Sequence, residues 1–294
     1  MLADSIHIRD PFILLHDGVY YLYGTDGDTV WQGRPTGFAC YTSQDLVDWE
    51  GPHAIFTAGE NFFADRFFWA PECHEYDGRF YLLTTLGAHG RKKGIYTLVA
   101  DSPLGPFQLH TTDPLTPMAW CAIDGTLFVD DCQIPWLIFS HTFEDVPTGD
   151  MAAVRLGSDL KHAIGEPLLL FQAADAPWAK PVPFAQAEFG LEGDVYFTDG
   201  PWVHRIVNGQ LLIIWSAWSD GGYSVGIAVS ESGTIAGPWH HHPEKLLPGG
   251  GHGMLFRSLG GELIYTMHAP NETPLERPVF YRIAESGDEN LVLV

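Results

Sequence analysis

One short unit, a tight turn followed at once by an apolar or aromatic run, recurs five times and constrains the fold more than any other feature. It reads Asp17-Gly18-Val-Tyr-Tyr-Leu-Tyr, Asp77-Gly78-Arg-Phe-Tyr-Leu-Leu, Asp130-Asp131 leading to Pro-Trp-Leu-Ile-Phe, Asn208-Gly209-Gln-Leu-Leu-Ile-Ile-Trp, and Gly260-Gly261-Glu-Leu-Ile-Tyr. The copies begin 60, 53, 78 and 52 positions apart. Asp-Gly or Asn-Gly between apolar runs is a strong hairpin signal, because both central residues of the favoured turn need positive φ. A second element follows four of the hairpins: Gly94 to Phe107 and Gly226 to Trp239 share a Gly-Pro-aromatic ending, and Phe38 to Trp49 and Met151 to Leu160 are further versions. Each period therefore holds about four strands, and five such periods are the arithmetic of an all-β, five-bladed β-propeller.

The remaining composition agrees. Gly (32) and Pro (21) are scattered, as many tight turns require. No apolar window of helical period exceeds a turn or two, the best being the Ala-rich stretch from Phe171 to Ala176 before Pro177. With 46% hydrophobic residues the chain has material for a large core. No linker divides the periods, so residues 1–294 read as a single domain. Closure of the ring is expected to borrow a strand from one terminus, either Leu291 to Val294 or the first residues.

Fifteen Lys and Arg face 37 Asp and Glu, a formal charge of −22. Nucleic acid is excluded as a partner because phosphate contacts need clustered cations, and an anionic membrane surface is excluded for the same reason. No run of about 18 apolar residues is present for a membrane-spanning helix. The start, MLADSIHIRDPF, lacks a cationic region followed by an apolar one, so the expectation is a cytoplasmic protein. Cys40, Cys73, Cys121 and Cys132 show no metal-ligand spacing and read as reduced thiols. The sequence leaves oligomeric state open.

Upstream of each hairpin lies a short segment that is the first strand of its blade, and each carries an acid or a histidine. These are Arg9-Asp10-Pro11-Phe12, Trp69-Ala70-Pro71-Glu72, Ile123-Asp124-Gly125-Thr126, Thr198-Asp199-Gly200-Pro201 and Gly251-His252-Gly253-Met254. First strands line a propeller's central channel, so repetition brings Asp10, Glu72, Asp124, Asp199 and His252 toward one axis. Crowding them in a partly desolvated funnel costs several kcal/mol unless they share protons, pair with cations or hold a metal. Such strain points to function. Taken singly, an Asp before Pro or Gly is as well explained as a turn former. Glu72 has the most divergent spacing and has Arg79 or Arg66 as possible partners.

With these residues in place, the chain resembles glycoside hydrolase family 43, the five-bladed propellers that remove arabinose or xylose from plant polysaccharides. The resemblance spans nearly the whole chain: Arg-Asp10-Pro, Trp69-Ala-Pro-Glu72, Ile-Asp124-Gly with Leu-Phe-Val-Asp-Asp, Asp199-Gly-Pro and Gly-His252-Gly. It implies Asp10 as general base, Asp124 as the residue that orients the acid and tunes its pKa, and Asp199 as general acid. Aspartate stands at 199 where the family usually has glutamate, one methylene longer, and Glu188 and Glu192 just upstream are alternative acids. The resemblance further implies hydrolysis with inversion, for which two carboxyl groups stand about 6.5 to 9.5 Å apart with water between them. Asp199 is then expected to stay protonated, its pKa raised by the charge on Asp124.

The resemblance implies no required cofactor, with His252 able to anchor a structural calcium on the axis through water; a hydrogen-bonding role is the alternative. Sugars stack on aromatic faces, which makes Trp69 the first candidate wall, with Trp31 and Phe63 behind it. His268 and Arg277 are candidate pocket residues, Arg277 as a cation beside the carboxylates or in a surface ion pair. His240-His241-His242 reads as a loop. The function expected is a glycosidase acting on pentose-containing plant oligosaccharides, of the α-L-arabinofuranosidase or β-D-xylosidase type. The rivals are a sugar-binding propeller without catalysis, a propeller acting on another furanoside, and an interaction scaffold. A scaffold has little reason to collect carboxylates on its axis.

Overall fold

The computed structural model describes residues 1–286 and 290–294. Five antiparallel sheets follow one another, each drawn from a continuous stretch of chain. Their innermost strands are Ile8–His16, Arg66–Tyr76, Ala122–Val129, Asp199–Arg205 and Gly251–Arg257. Each is followed by the hairpin partner that the repeat announces: Val19–Asp26, Arg79–Ala88, Pro135–His141, Leu211–Ser219 and Leu263–Ala269. The third strands are Gly37–Ser43, Arg91–Ala100, Asp150–Leu156, Gly222–Ser230 and Arg277–Ser286. This is the five-bladed propeller.

The turns obey their sequences to different degrees. Asp17 and Gly18 (φ 48° and 76°) and Asp77 and Gly78 (48° and 73°) both take positive φ, as the two-residue hairpin demands. At Asn208-Gly209 only the glycine does, and at Asp130 the turn widens to Ile134, whose N–H bonds the Asp130 side chain. The Ala-rich stretch forms one 3-10 turn, Ala173–Asp175. Among the described residues the α-helix is Ala185–Phe189, in the connection from the third blade to the fourth. Of the three histidines, His240 and His241 belong to a strand rather than a loop, and His242 follows it. Trp239–His241 is the outer strand of the fourth blade, and His241 Nε2 lies 3.1 Å from the carbonyl of Gln172.

Blades pack face to face around the ring, so a hairpin strand is buried on both sides. That is why Leu211-Leu-Ile-Ile-Trp-Ser-Ala217 is apolar nearly throughout rather than alternating, and every one of its residues is buried. Trp49, Trp215, Tyr23, Tyr96 and Tyr265 are the largest fully buried rings, each contributing about 1.5–3 kcal/mol on burial. All four cysteines are free.

Closure differs from the expectation. The C-terminal strand Asn290–Leu293 pairs with Arg277–Ser286 of its own blade, and Leu2 bridges to Asp48 in the first blade. Neither terminus adds a strand across the seam, although the turn Ala3–Ser5 packs against Arg277–Ser286. Side chains join the first and last blades instead. Arg9 Nη1 donates to Glu276 (2.8 Å) and Nη2 to Asn271 (2.8 Å), while Arg277 Nε donates to the carbonyl of Asp4 (2.9 Å).

Candidate active site

Every innermost strand is broken by an irregularity in its pairing with the next strand, at Arg9/Phe12, Trp69/Glu72, opposite Ile138/Ser140, at Asp199/Trp202 and at Gly251/Gly253. One residue in each break has left-handed backbone: Asp10 (φ 54°), Ala70 (44°), Asp124 (59°), Gly200 (49°) and His252 (46°). A bulge re-aims a side chain, and non-glycine residues accept this conformation only when the surroundings enforce it. The enforcement is visible. The second strand of each blade supplies a buried side chain that grips the inner strand of the next. Thr25 Oγ1 accepts from Ala70 N (2.7 Å), Thr85 Oγ1 from Asp124 N (3.0 Å), Ser216 Oγ from His252 N (2.9 Å) and His268 Nδ1 from Asp10 N (3.2 Å), while Ser140 Oγ lies 2.6 Å from Thr198 Oγ1. These five grips run once around the axis and close it.

The ring corrects the equivalence expected for the second blade. Ala70, not Glu72, occupies the aimed position. Glu72 is buried behind it and pairs with His74 Nε2 at 2.9 Å, rather than with Arg79 or Arg66. Asp199 precedes the aimed position by one residue, yet its carboxylate reaches the centre. A Cβ at Gly200 would lie 2.6 Å from the His252 ring, so glycine is required there.

At the centre, His252 Nδ1 stands 3.3 Å from Asp10, 3.7 Å from Asp124 and 3.1 Å from Asp199. Burial alone lowers the pKa of this ring, but the charges of Asp10, Asp124 and Asp199 outweigh it and lift it to about 10, so the ring is an imidazolium. Asp124 is pushed well above the usual carboxylate range, first by burial and then by the charge of Asp199. Burial opposes the charge of Asp199 too, but hydrogen bonds from Asp124, His252 and the Tyr223 hydroxyl overcome it and hold its pKa down. The expectation is thereby reversed. Asp124 is drawn toward its neutral form and Asp199 toward its charged one. Asp10 Oδ2 accepts from Thr25 Oγ1 at 2.5 Å. Beneath it His268 is fully buried; burial and the charge of Arg9 push its pKa down to about 3, and its neutral ring accepts from Asp10 at Nδ1 and faces Asn271 with Nε2.

Above this floor opens a cavity of about 450 Å³, lined by Asp199, Tyr223, Trp69, Lys93, Glu144 and Glu188 among others. Trp69 is a wall as expected, fixed by its indole N–H to the carbonyl of Val30 (3.2 Å) and meeting Trp31 edge-on with centroids 5.6 Å apart. Trp31 lines the cavity as well, whereas Phe63 packs outside it against Tyr96. Arg277 does not reach the carboxylates; its guanidinium is spent on the carbonyls of Asp4, Pro274 and Glu276. The cations of the cavity are Arg9, 5.3 Å over the Trp31 ring, and Lys93, which pairs with Glu144 at 2.7 Å and sits 5.2 Å over Trp69. Arg9 directly precedes Asp10, but the repeat does not mark it, because Ile123, Thr198 and Gly251 stand at the equivalent positions. Lys93, Glu144 and Tyr223 lie in hairpins with no local signal.

Asp124, Asp199 and His252 present ligand atoms within 4.8 Å of one another. Calcium takes about six to eight oxygen ligands. Here the ring nitrogen itself stands among three carboxylates and meets their charge, a donor set that does not fit calcium.

Aspartates gathered with a charged histidine under an aromatic-walled cavity on a propeller axis define a carbohydrate-active enzyme site. The comparisons name the family. The model of glycosyl hydrolases family 43 matches residues 5–284, and the chain belongs to that family and is a glycoside hydrolase. An endo-arabinase structure from Bacteroides thetaiotaomicron is 36% identical, with TM-score 0.89 and 99% of each chain covered. A thermostable family-43 glycoside hydrolase is 25% identical with TM-score 0.80, covering 98% of this chain and 92% of that one. A β-D-galactofuranosidase of Aspergillus niger is 25% identical, over 92% of this chain and 76% of that protein.

Proposed function

We propose that the enzyme hydrolyses α-L-arabinofuranosides in pentose-containing plant oligosaccharides, with inversion, the whole chain serving as one catalytic domain. The observation that carries this reading is the convergence of Asp10, Asp124 and Asp199 around His252, with Asp199 lining a cavity walled by Trp31 and Trp69. Asp10 is the base, its carboxylate steadied by Thr25 while it takes a proton from the attacking water. Asp199, ionised and facing the cavity, lies where positive charge develops at the anomeric carbon, and charge of opposite sign there favours the transition state. Asp124 carries the proton that lets the two carboxyl groups stand side by side. Trp69 and Trp31 receive the apolar face of the sugar.

The similarity to an endo-arabinase favours arabinofuranose. A second reading, β-D-galactofuranoside hydrolysis, is favoured by the Aspergillus niger relative. The two sugars share ring stereochemistry and differ in the exocyclic chain, so one pocket floor suits both. No metal is required in this account, because His252 supplies the central positive charge. The four unpaired cysteines suit a reducing compartment.

A panel of 4-nitrophenyl glycosides, α-L-arabinofuranoside, β-D-galactofuranoside and β-D-xyloside, tests the reading with wild type and Asp10→Asn in the presence of chelator. Turnover of a furanoside that falls at least about 1,000-fold in Asp10→Asn is expected. Silence on all furanosides, or activity unchanged in Asp10→Asn, refutes it.

A further inference from the structure

Hydrolysis needs a carboxyl group that reaches the glycosidic oxygen and still has a proton to give. Among the described residues, three carboxylates line the cavity: Asp199, Glu144 and Glu188. The first two are engaged. Asp199 accepts the Tyr223 hydroxyl on Oδ2 and has Oδ1 3.1 Å from His252 Nδ1. Glu144 Oε2 is 2.7 Å from Lys93 Nζ and accepts from Thr142 Oγ1 at 2.7 Å. Both serve as acceptors held by fixed donors.

Glu188 is placed differently. It stands on the short helix Ala185–Phe189, whose Ala185 is anchored in a cluster with Val182 and Val195. Gly190, left-handed at φ 66°, ends the helix and returns the chain toward the strand that bears Asp199. Glu188 lies three residues after the anchor, so the helical period turns it to the same side. The rings of Phe184 and Phe189 flank it at the cavity wall, and Phe189 meets Phe143 across the way at 5.1 Å. Among the described residues its carboxyl group has no side-chain partner, and it is exposed.

We propose that Glu188, and not Asp199, is the general acid. The assignment rests on the hydrolase reading above. As the C–O bond breaks, its electron pair passes to the glycosidic oxygen, which takes the Glu188 proton; the water oxygen bonds to the anomeric carbon and gives its proton to Asp10. Glu188 is left ionised and Asp10 protonated. Exchange with solvent restores both.

The test compares kcat/KM for two glycosides of whichever sugar the wild type hydrolyses. One is the 2,4-dinitrophenyl glycoside, whose leaving group departs without a proton; the other is the methyl glycoside, whose leaving group needs one. Glu188→Gln is expected to lose about 100-fold or more on the methyl glycoside and less than about 10-fold on the dinitrophenyl one, with an unchanged melting temperature. Asp199→Asn is expected to lose on both alike. Equal losses, or none, in Glu188→Gln overturn the proposal. So does a leaving-group-selective loss in Asp199→Asn, which would make the Asp124–Asp199 pair the donor. Asp10→Asn is the control: retention of both activities in it would instead refute the hydrolase reading itself.

Discussion

The chemistry of single residues here is set by company rather than by type. His252 and His268 are both buried, yet one is charged and the other neutral. Three carboxylates face His252, whereas His268 meets one, Asp10, which burial and the charge of Arg9 outweigh. The two rings therefore have opposite effects on stability as pH changes. His252 has a folded-state pKa near 10 against about 6.5 unfolded, so the stability it contributes is full below about 6.5 and is lost as pH rises toward 10. The difference in unfolding free energy between wild type and His252→Gln, measured by urea denaturation, is expected to shrink steadily from pH 6.5 to 10. A difference that stays constant or grows over that range contradicts a charged His252. Sequence repetition found this residue and three of its partners. It could not assign their protons, because the order of pKa values depends on hydrogen bonds from Tyr223 and Thr25, which arrive from other strands.

At the scale of the element, the decisive device is the bulge in each inner strand. Its glycine or aspartate was visible in the sequence, but the position that points inward was not, since one added residue changes which side chain faces the axis. That is why Glu72, two residues beyond Ala70, was placed on the axis by spacing and lies behind it. Gly200 carries the clearest consequence. Gly200→Ala combines a left-handed φ of 49° with a Cβ 2.6 Å from a buried imidazole. It is expected to cost about 2–4 kcal/mol, as overpacking and backbone strain together, and to lower kcat/KM at least about 100-fold by displacing His252 from the carboxylates. Denaturation together with kinetics checks both effects, and near-normal activity would show that the ring tolerates displacement. The short helix bearing Glu188 is an element of another kind. Ala185–Phe189 is too short for a periodic signal to mark it, so only its acid was visible in the sequence.

At the scale of the molecule, the five-fold repeat made blade number and order legible, because each turn-and-strand unit carries the local signals of its own hairpin. Closure was not legible. It depends on pairs far apart in sequence, such as Arg9 with Glu276 and Asp10 with His268, which no local pattern announces. The closed ring does more than hold the blades. Each grip fixes the aim of one inner strand, so Asp10 on the first blade and the residues facing it from the third, fourth and fifth blades are positioned by the same circuit. In the mechanism we propose, a water held between Asp10 and the sugar attacks from one face only. Proton NMR of the first product formed from a furanoside substrate tests this directly. The account predicts that the initial free sugar has the anomeric configuration opposite to that of the substrate, with mutarotation following; initial release with the same configuration would contradict it.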